Sequence, residues 1–223
     1  MAVLLFLFTI FLCVVTINEA CWCTQAHPQS RFCSADFAIR AKVLNESWDN
    51  SSRIYTLKVF KAFKGGKKIE RVAEMQSDTG KRRKNVVQVT TELDSAACGV
   101  RLQISKIYIL LGYVENQHRR PYKGKKKLTI ESCQWHSLWN DTTAQQRRGL
   151  KRIYGKYCLC NIDKYCFKER PELCKDLIQG CHLQGSDDRM KNCRAKHSYC
   201  VKGRKKCRWI APQKADLKKC MSA

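Results

Sequence analysis

Acidic side chains are scarce in this sequence beside basic ones. It carries 19 Asp plus Glu against 43 Lys plus Arg, a formal net charge of +24 at pH 7 over 223 residues. So one-sided a field demands polyanionic surroundings. Long apolar runs are missing too: after Ala20 no stretch is long and apolar enough to form a transmembrane helix. The common catalytic signatures are absent. There is no Gly-rich phosphate loop, no His-Glu-x-x-His and no Gly-x-Ser-x-Gly, and the five histidines lack the spacing of metal ligands. An enzyme is therefore not expected. Internal repeats, coiled-coil heptads and low-complexity segments are also missing.

What is present begins at the N-terminus. The apolar run Ala2 to Val15 is too short to span a bilayer comfortably, and small Ala20 stands just before Cys21. Residues 1–20 read as a signal peptide of a secreted, extracellular protein. The n-region has no basic side chain and Asn18 occupies the minus-three position, so cuts one or two residues away stay open. Cleavage after Ala20 removes Cys13 and Glu19, leaving 203 residues, 14 cysteines and a charge of +25. An even cysteine count in an oxidising compartment implies seven disulfides. Three N-glycosylation sequons, at Asn45, Asn50 and Asn140, fit secretion and are expected on exposed loops. Cys21 becomes the first mature residue, and a cysteine with a free α-amino group is a potential zinc chelator.

Cysteine spacing divides the chain. Cys21, Cys23, Cys33, Cys98 and Cys133 are spread thinly, whereas nine cysteines crowd between Cys158 and Cys220. This suggests a domain over 21–157 large enough for its own core and a disulfide-rich subdomain over 158–223 that needs covalent staples. Basic runs recur at Lys81 to Lys84, Lys123 to Lys127 and Lys202 to Lys206, in segments that read as loops. Outside a cell the matching counter-charge is sulphated glycosaminoglycan, of which heparin is one form, while the signal peptide denies access to nucleic acid. For any single run, solvated lysines serving solubility explain the charge equally well.

The first part reads as β-rich. Phe37 to Leu44 and Ile54 to Phe63 form a hairpin across a polar loop from Asn45 to Arg53, and Ile69 to Met75, Asn85 to Thr90, Ile104 to Leu111 and Leu128 to Glu131 read as further strands. Five or six short strands suggest a small barrel. Between Asp141 and Tyr154 a helix is expected, with Asn140 or Asp141 as N-cap and Leu150 and Ile153 facing the barrel. Past Cys158 the secondary structure is not readable. A structural zinc site from Cys21, Cys23 and His27, or from Cys158 and Cys160, is a minor alternative, since cysteines of a secreted chain usually pair with each other. His27 is better explained as a packed residue beside Pro28.

Cys21-Trp22-Cys23, then His27-Pro28-Gln29, Phe32-Cys33, Asp36 and Ile39-Arg40-Ala41-Lys42, resembles the start of the tissue inhibitors of metalloproteinases. Ser95-Ala96-Ala97-Cys98-Gly99-Val100, Trp139-Asn140, Gln146-Arg147-Arg148-Gly149, Cys200 and Cys207-Arg208-Trp209 extend the likeness over nearly the whole mature chain. The resemblance implies a mainly β fold with some α: an OB-type, netrin-like five-stranded barrel with associated helices, plus a small disulfide-rich C-terminal subdomain. It also implies disulfides from Cys21 to Cys98, Cys23 to Cys133, Cys33 to Cys158, Cys160 to Cys207, Cys166 to Cys174 and Cys181 to Cys200. Cys193 and Cys220 are left over and available to each other.

By the same resemblance, the chain is a monomeric inhibitor of matrix metalloproteinases or related zinc proteases, with no cofactor of its own. The α-amino nitrogen and carbonyl oxygen of Cys21 would chelate the zinc of the bound protease and displace its attacking water. Cys21, Trp22, Cys23 and Thr24, with Ser95, Ala96, Ala97, Cys98, Gly99 and Val100, would form the wedge that enters the protease cleft. Trp22 departs from the small residue usual at the second position: its indole either enters the protease's primary specificity pocket or folds back onto its own surface. Gln25 replaces a common proline. The rival reading is a basic netrin-like module that binds matrix or glycosaminoglycan and inhibits nothing.

Overall fold

A computed structural model describes residues 21–76, 85–116, 125–163, 180–183 and 187–222. Its centre is a closed five-stranded barrel made of β1 (Phe37–Trp48), β2 (Ser52–Lys64), β3 (Val86–Glu92), β4 (Ile107–Asn116) and β5 (Lys126–Thr129). The strands follow the order β1-β2-β3-β5-β4, and β4 pairs back onto β1, with Phe37 opposite Gly112 and Lys42 opposite Ile107. All the pairings are antiparallel except the short parallel one that sets Val89 beside Leu128. Closure leaves no sheet edge among the five strands. Alternation explains the core: Phe37, Ile39, Ala41 and Val43 point inward from β1 and meet Tyr55, Leu57, Val87, Val89, Leu110 and Leu128, all buried. A short β6 (His136–Leu138) adds to the far side of β4.

Three expectations are corrected here. Ile69 to Met75 is helical, within α2 (Gly66–Gln76). Ile69, Val72 and Ala73 are its buried residues, at helical spacing, while Lys67, Lys68, Glu70 and Glu74 face solvent. The hairpin loop is much shorter than Asn45 to Arg53. Pairing continues through Asn45 and Thr56 to Trp48 and Arg53, with a Glu46–Arg53 ion pair across the strands, so the turn is confined to Asp49–Ser51. The helix after Asp141 is capped by Thr143. Its hydroxyl accepts from the Gln146 N–H at 3.1 Å, and the Gln146 side chain accepts from the Thr143 N–H at 2.9 Å, a reciprocal capping box that starts α3 (Ala144–Arg148). A wider turn, Gly149–Ile153, continues α3 and buries Leu150 against the barrel, with Ile153 packed beside it.

A second core lies outside the barrel wall. Phe32 and Ala35 of the α1 segment (α1, Pro28–Ser34, and its C-cap), Ala38, Ile109 and Leu111 from the barrel, and Leu150 and Tyr154 meet Tyr199 and Val201. Residues from both sides of position 157 therefore share one apolar cluster. Tyr154 is fully buried and meets the rings of His27, Phe32, Trp135 and Tyr199 at centroid separations of 6.3, 5.8, 6.5 and 6.1 Å. The C-terminal part holds β7 (Ile162–Asp163) beside β8 (Cys181–His182), α4 (Asp188–His197), a hairpin of β9 (Tyr199–Lys202) and β10 (Cys207–Ile210), and α5 (Lys214–Ser222). Its own cluster is built around Cys160, Cys181, Cys200 and Cys207, with Ile162 and Leu183. Half-cystines stand where a larger domain would place aliphatic side chains.

Candidate functional site

The N-terminal segment is fixed by two neighbouring disulfides, Cys21–Cys98 and Cys23–Cys133. They lie against each other, with Sγ of Cys133 3.7 Å from that of Cys21 and 3.8 Å from that of Cys98. The Cys21 nitrogen donates to the Ala96 carbonyl at 2.7 Å. Trp22, held between two bridged residues, is 88% exposed. It does not fold back onto the surface.

The loop opposite is shaped by Asp94. Its side chain accepts from the Ala96 N–H at 3.0 Å, and its carbonyl accepts from Ala97 at 3.2 Å and Gly99 at 2.9 Å. Cys98 takes a positive φ of 65°, and its carbonyl accepts from Ser132 at 2.8 Å. Gly99 passes so close to the carbonyls of Glu92 and Asp94 that a Cβ would collide with both. The presented surface is thus narrower than the stretch read from the sequence. Ser95, Ala96 and Ala97 are exposed, while Gly99 is buried and Val100 sits in the barrel core. Val100 is held from below: its N–H donates to Thr91 Oγ1 at 3.0 Å and its carbonyl accepts from Tyr55 Oη at 3.3 Å.

Past the disulfides the segment is anchored on its other flank. Arg31 donates to the Thr24 carbonyl at 2.6 Å. His27 caps α1: its Nδ1 accepts from the Gln29 N–H at 3.1 Å, which leaves Nε2 as the protonated nitrogen donating to the Arg194 carbonyl at 3.2 Å. Burial lowers its pKa from 6.5 to about 4, and nearby Arg194 pushes the same way against the backbone hydrogen bonds. Both nitrogens are engaged and the cysteines are in disulfides, so neither alternative zinc set survives. Cys158 pairs with Cys33 and Cys160 with Cys207. The remaining bridges, Cys181–Cys200 and Cys193–Cys220, join the partners named above. Cys166 and Cys174 lie outside the described residues.

Beside the ridge opens a concavity of about 610 Å³, whose lining includes Trp22, Thr24, Arg31, Trp135, His136 and Asp188. Sequence reasoning missed Asp94, Arg31 and the Ser132–His136 segment. Asp94 had a signal, an acidic turn former ahead of small residues and a glycine; the others become visible only in three dimensions. Asn45, Asn50 and Asn140 are exposed, but Asn45 lies on strand β1 and Asn140 in a single helical turn, so only Asn50 is on a loop. Lys81 to Lys84, Lys123 and Gly124 lie outside the described residues. Lys202, Arg204, Lys205 and Lys206 are exposed around the tip of the β9–β10 hairpin.

A closed five-stranded barrel carrying a cross-stapled ridge, with a disulfide-rich C-terminal part, defines the fold class. A family model described as "Tissue inhibitor of metalloproteinase" matches residues 19–209, and the chain belongs to that family. It is 30% identical over 162 residues to metalloproteinase inhibitor 3 of Gallus gallus, covering 69% of this chain and 66% of that protein. Metalloproteinase inhibitor 3 of Xenopus laevis is 28% identical over 211 residues, 89% of this chain and 86% of that protein. Metalloproteinase inhibitor 2 of Homo sapiens is 29% identical over 172 residues, 70% of this chain and 67% of that protein. The family and these relatives are described as inhibitors of metalloproteinases and not as enzymes.

Proposed function

We propose that this protein is a secreted, monomeric inhibitor of zinc metalloproteinases, matrix metalloproteinases among them, that blocks the active site with the main chain of Cys21. The observation that carries the reading is the stapled ridge: Cys21 and Cys23 bridged to Cys98 and Cys133, the Cys21 nitrogen bound to Ala96, and Trp22 exposed between them. After cleavage at Ala20 that nitrogen is an α-amino group with an ordinary pKa near 8, so the neutral ligand form is accessible at pH 7. A neutral amine that spends one N–H on Ala96 keeps its lone pair for a metal, and the Cys21 carbonyl oxygen closes a five-membered chelate. Rigidity matters because freezing a loose N-terminus on binding would cost affinity. The inhibitory part is residues 21–157, with 158–223 as its disulfide-rich companion. Trp22 then stands at the protease's specificity pocket and sets the range of targets.

A further partner is sulphated glycosaminoglycan, which the exposed cations around the β9–β10 tip suit. The test of the inhibitory reading is a titration of the mature protein starting at Cys21 against metalloproteinase catalytic domains, beside a form extended by one alanine. Inhibition by the first alone is the expected result. No inhibition by either would leave a basic matrix-binding module as the better reading.

A further inference from the structure

We infer that the concavity beside the ridge is a second docking pocket for the protease, and that α4, fastened by Cys193–Cys220, is its outer wall. The inference rests on the inhibitory reading. Trp22 and Thr24 form the near wall, Arg31 and Trp135 line the interior, and His136 and Asp188 are exposed at the rim, Asp188 in the first turn of α4. The volume of about 610 Å³ suits a group of side chains from a partner.

The occupant follows from where the concavity opens. A protein that brings a zinc to the nitrogen and oxygen of Cys21 must press its surface against Trp22 and Thr24, the two ridge residues that begin the pocket. Whatever lies at the edge of that protease's cleft faces the opening, and leaving it empty would forfeit contact beside the most constrained part of the interface. The lining matches polypeptide: two indoles for an apolar side chain, with an imidazole and a carboxylate for main-chain amide groups.

The outer wall is held in place by specific contacts. The last-turn carbonyls of a helix lack intrahelical partners. In α4 those of Ala195 and Lys196 accept from Gln146 at 3.2 Å and Thr143 at 2.6 Å of the N-terminal part, and the Arg194 carbonyl, which takes the N–H and hydroxyl of the C-cap Ser198, also accepts from His27 at 3.2 Å. Gln25, one residue beyond the ridge, donates to Asn192 at 2.9 Å. Cys193 is buried within the same helix and bonds to Cys220 on α5, past residue 209 where the family match ends. The wall is therefore braced by a staple whose second half lies outside the part this chain shares with the family model.

The test uses the full mature protein, comparing it with Asp188→Trp, which places a large side chain at the rim and leaves the ridge residues themselves unaltered, and with the double variant Cys193→Ser/Cys220→Ser. Inhibition constants are measured against a panel of metalloproteinase catalytic domains, and hydrogen exchange of residues 187–194 is followed with and without bound protease. We expect Asp188→Trp to weaken inhibition at least tenfold for part of the panel at unchanged melting temperature, the double variant to shift the same members, and exchange across 187–194 to slow in the complex. Should the double variant fail to fold, Asp188→Trp and the exchange data decide alone. Constants within twofold of the unmodified protein across the panel, or unchanged exchange, overturn the pocket and leave the inhibitory reading standing. An unmodified protein that inhibits no member overturns both.

Discussion

His27 makes the stability of this protein depend on pH in a way that can be isolated. The side chain is 2% exposed, caps α1 as an acceptor, donates to Arg194 and packs against the rings of Trp209 and Tyr154. Burial, the largest cause, and the neighbouring Arg194 hold its pKa at about 4, against an ordinary 6.5 in the unfolded chain. Between those values the unfolded state binds a proton that the folded state refuses, so stability is fully present above pH 6.5 and is lost as pH falls toward 4. For these two values the loss between pH 7.5 and 4.5 is on the order of 2–3 kcal/mol. Guanidinium unfolding of the disulfide-intact protein at both pH values measures it. Carboxylates also titrate near the lower end, so the informative quantity is the difference from His27→Asn, whose side-chain oxygen can still cap α1 but does not titrate. The variant should be less stable at pH 7.5 by about 1–2 kcal/mol and should lose less on acidification, by an amount on the order of 2–3 kcal/mol. Parallel losses in the two proteins, within about 0.5 kcal/mol, would refute the reasoning.

Gly99→Ala forces a Cβ against the carbonyls of Glu92 and Asp94 and should cost about 1–3 kcal/mol in thermal or denaturant unfolding, with a matching fall in inhibition because the loop it anchors carries Ala96. Trp22→Ala should leave stability within about 0.5 kcal/mol, as the indole is 88% exposed, while re-ranking the proteases inhibited in a panel assay. Gln29→Ala removes the side chain that both donates to the Cys200 carbonyl at 2.8 Å and accepts from the Cys200 N–H at 3.0 Å, leaving two buried backbone groups unpaired. Denaturant unfolding should show a loss of about 2–4 kcal/mol. Breaking Cys193–Cys220, which closes 27 residues, should cost up to about 3.5 kcal/mol by loop-entropy reasoning and should show as a lower melting temperature.

The barrel was legible because its strands alternate. Phe37, Ile39, Ala41 and Val43 announce one inward face, and the strand reading of β1, β2, β3, β4 and β5 differs from the structure mainly at the ends. Ile69 to Met75 was misread because apolar and β-branched content was weighed above spacing; Ile69, Val72 and Ala73 fit a period of 3.6 and no period of 2. Helix α1 went unseen although Pro28 at its first turn was a signal, since its cap is a histidine rather than Ser, Thr, Asp or Asn. Past Cys158 no hydrophobic periodicity exists to be read, because half-cystines make up most of the local core. The ridge could be named only through the family resemblance carried by Cys21-Trp22-Cys23 and Ser95 to Val100. The concavity could not, since its walls come from residues near 22, 135 and 188 that only the fold brings together.

The exposed Trp22 and the braced α4 belong to one physical problem. On the proposed inhibitory reading, Trp22 would add a large apolar contact at the centre of the interface, and such a contact contributes most when its surroundings exclude water. On one side the disulfide ridge and the Asp94-shaped loop do this, through main-chain hydrogen bonds that hold Ser95–Ala97 outward. On the other side the ridge falls away into the concavity, which among the described residues is lined by the Ser132–His136 segment and not by the five barrel strands. Helix α4 stands there, capped by His27, Thr143 and Gln146 and locked to α5 by Cys193–Cys220. A chain with a small second residue has less need of such a wall. The two departures, a tryptophan at the tip and a staple past residue 209, are therefore expected to act together, and Trp22→Ser combined with Asp188→Trp should weaken inhibition by less than the sum of the two separate effects in free energy.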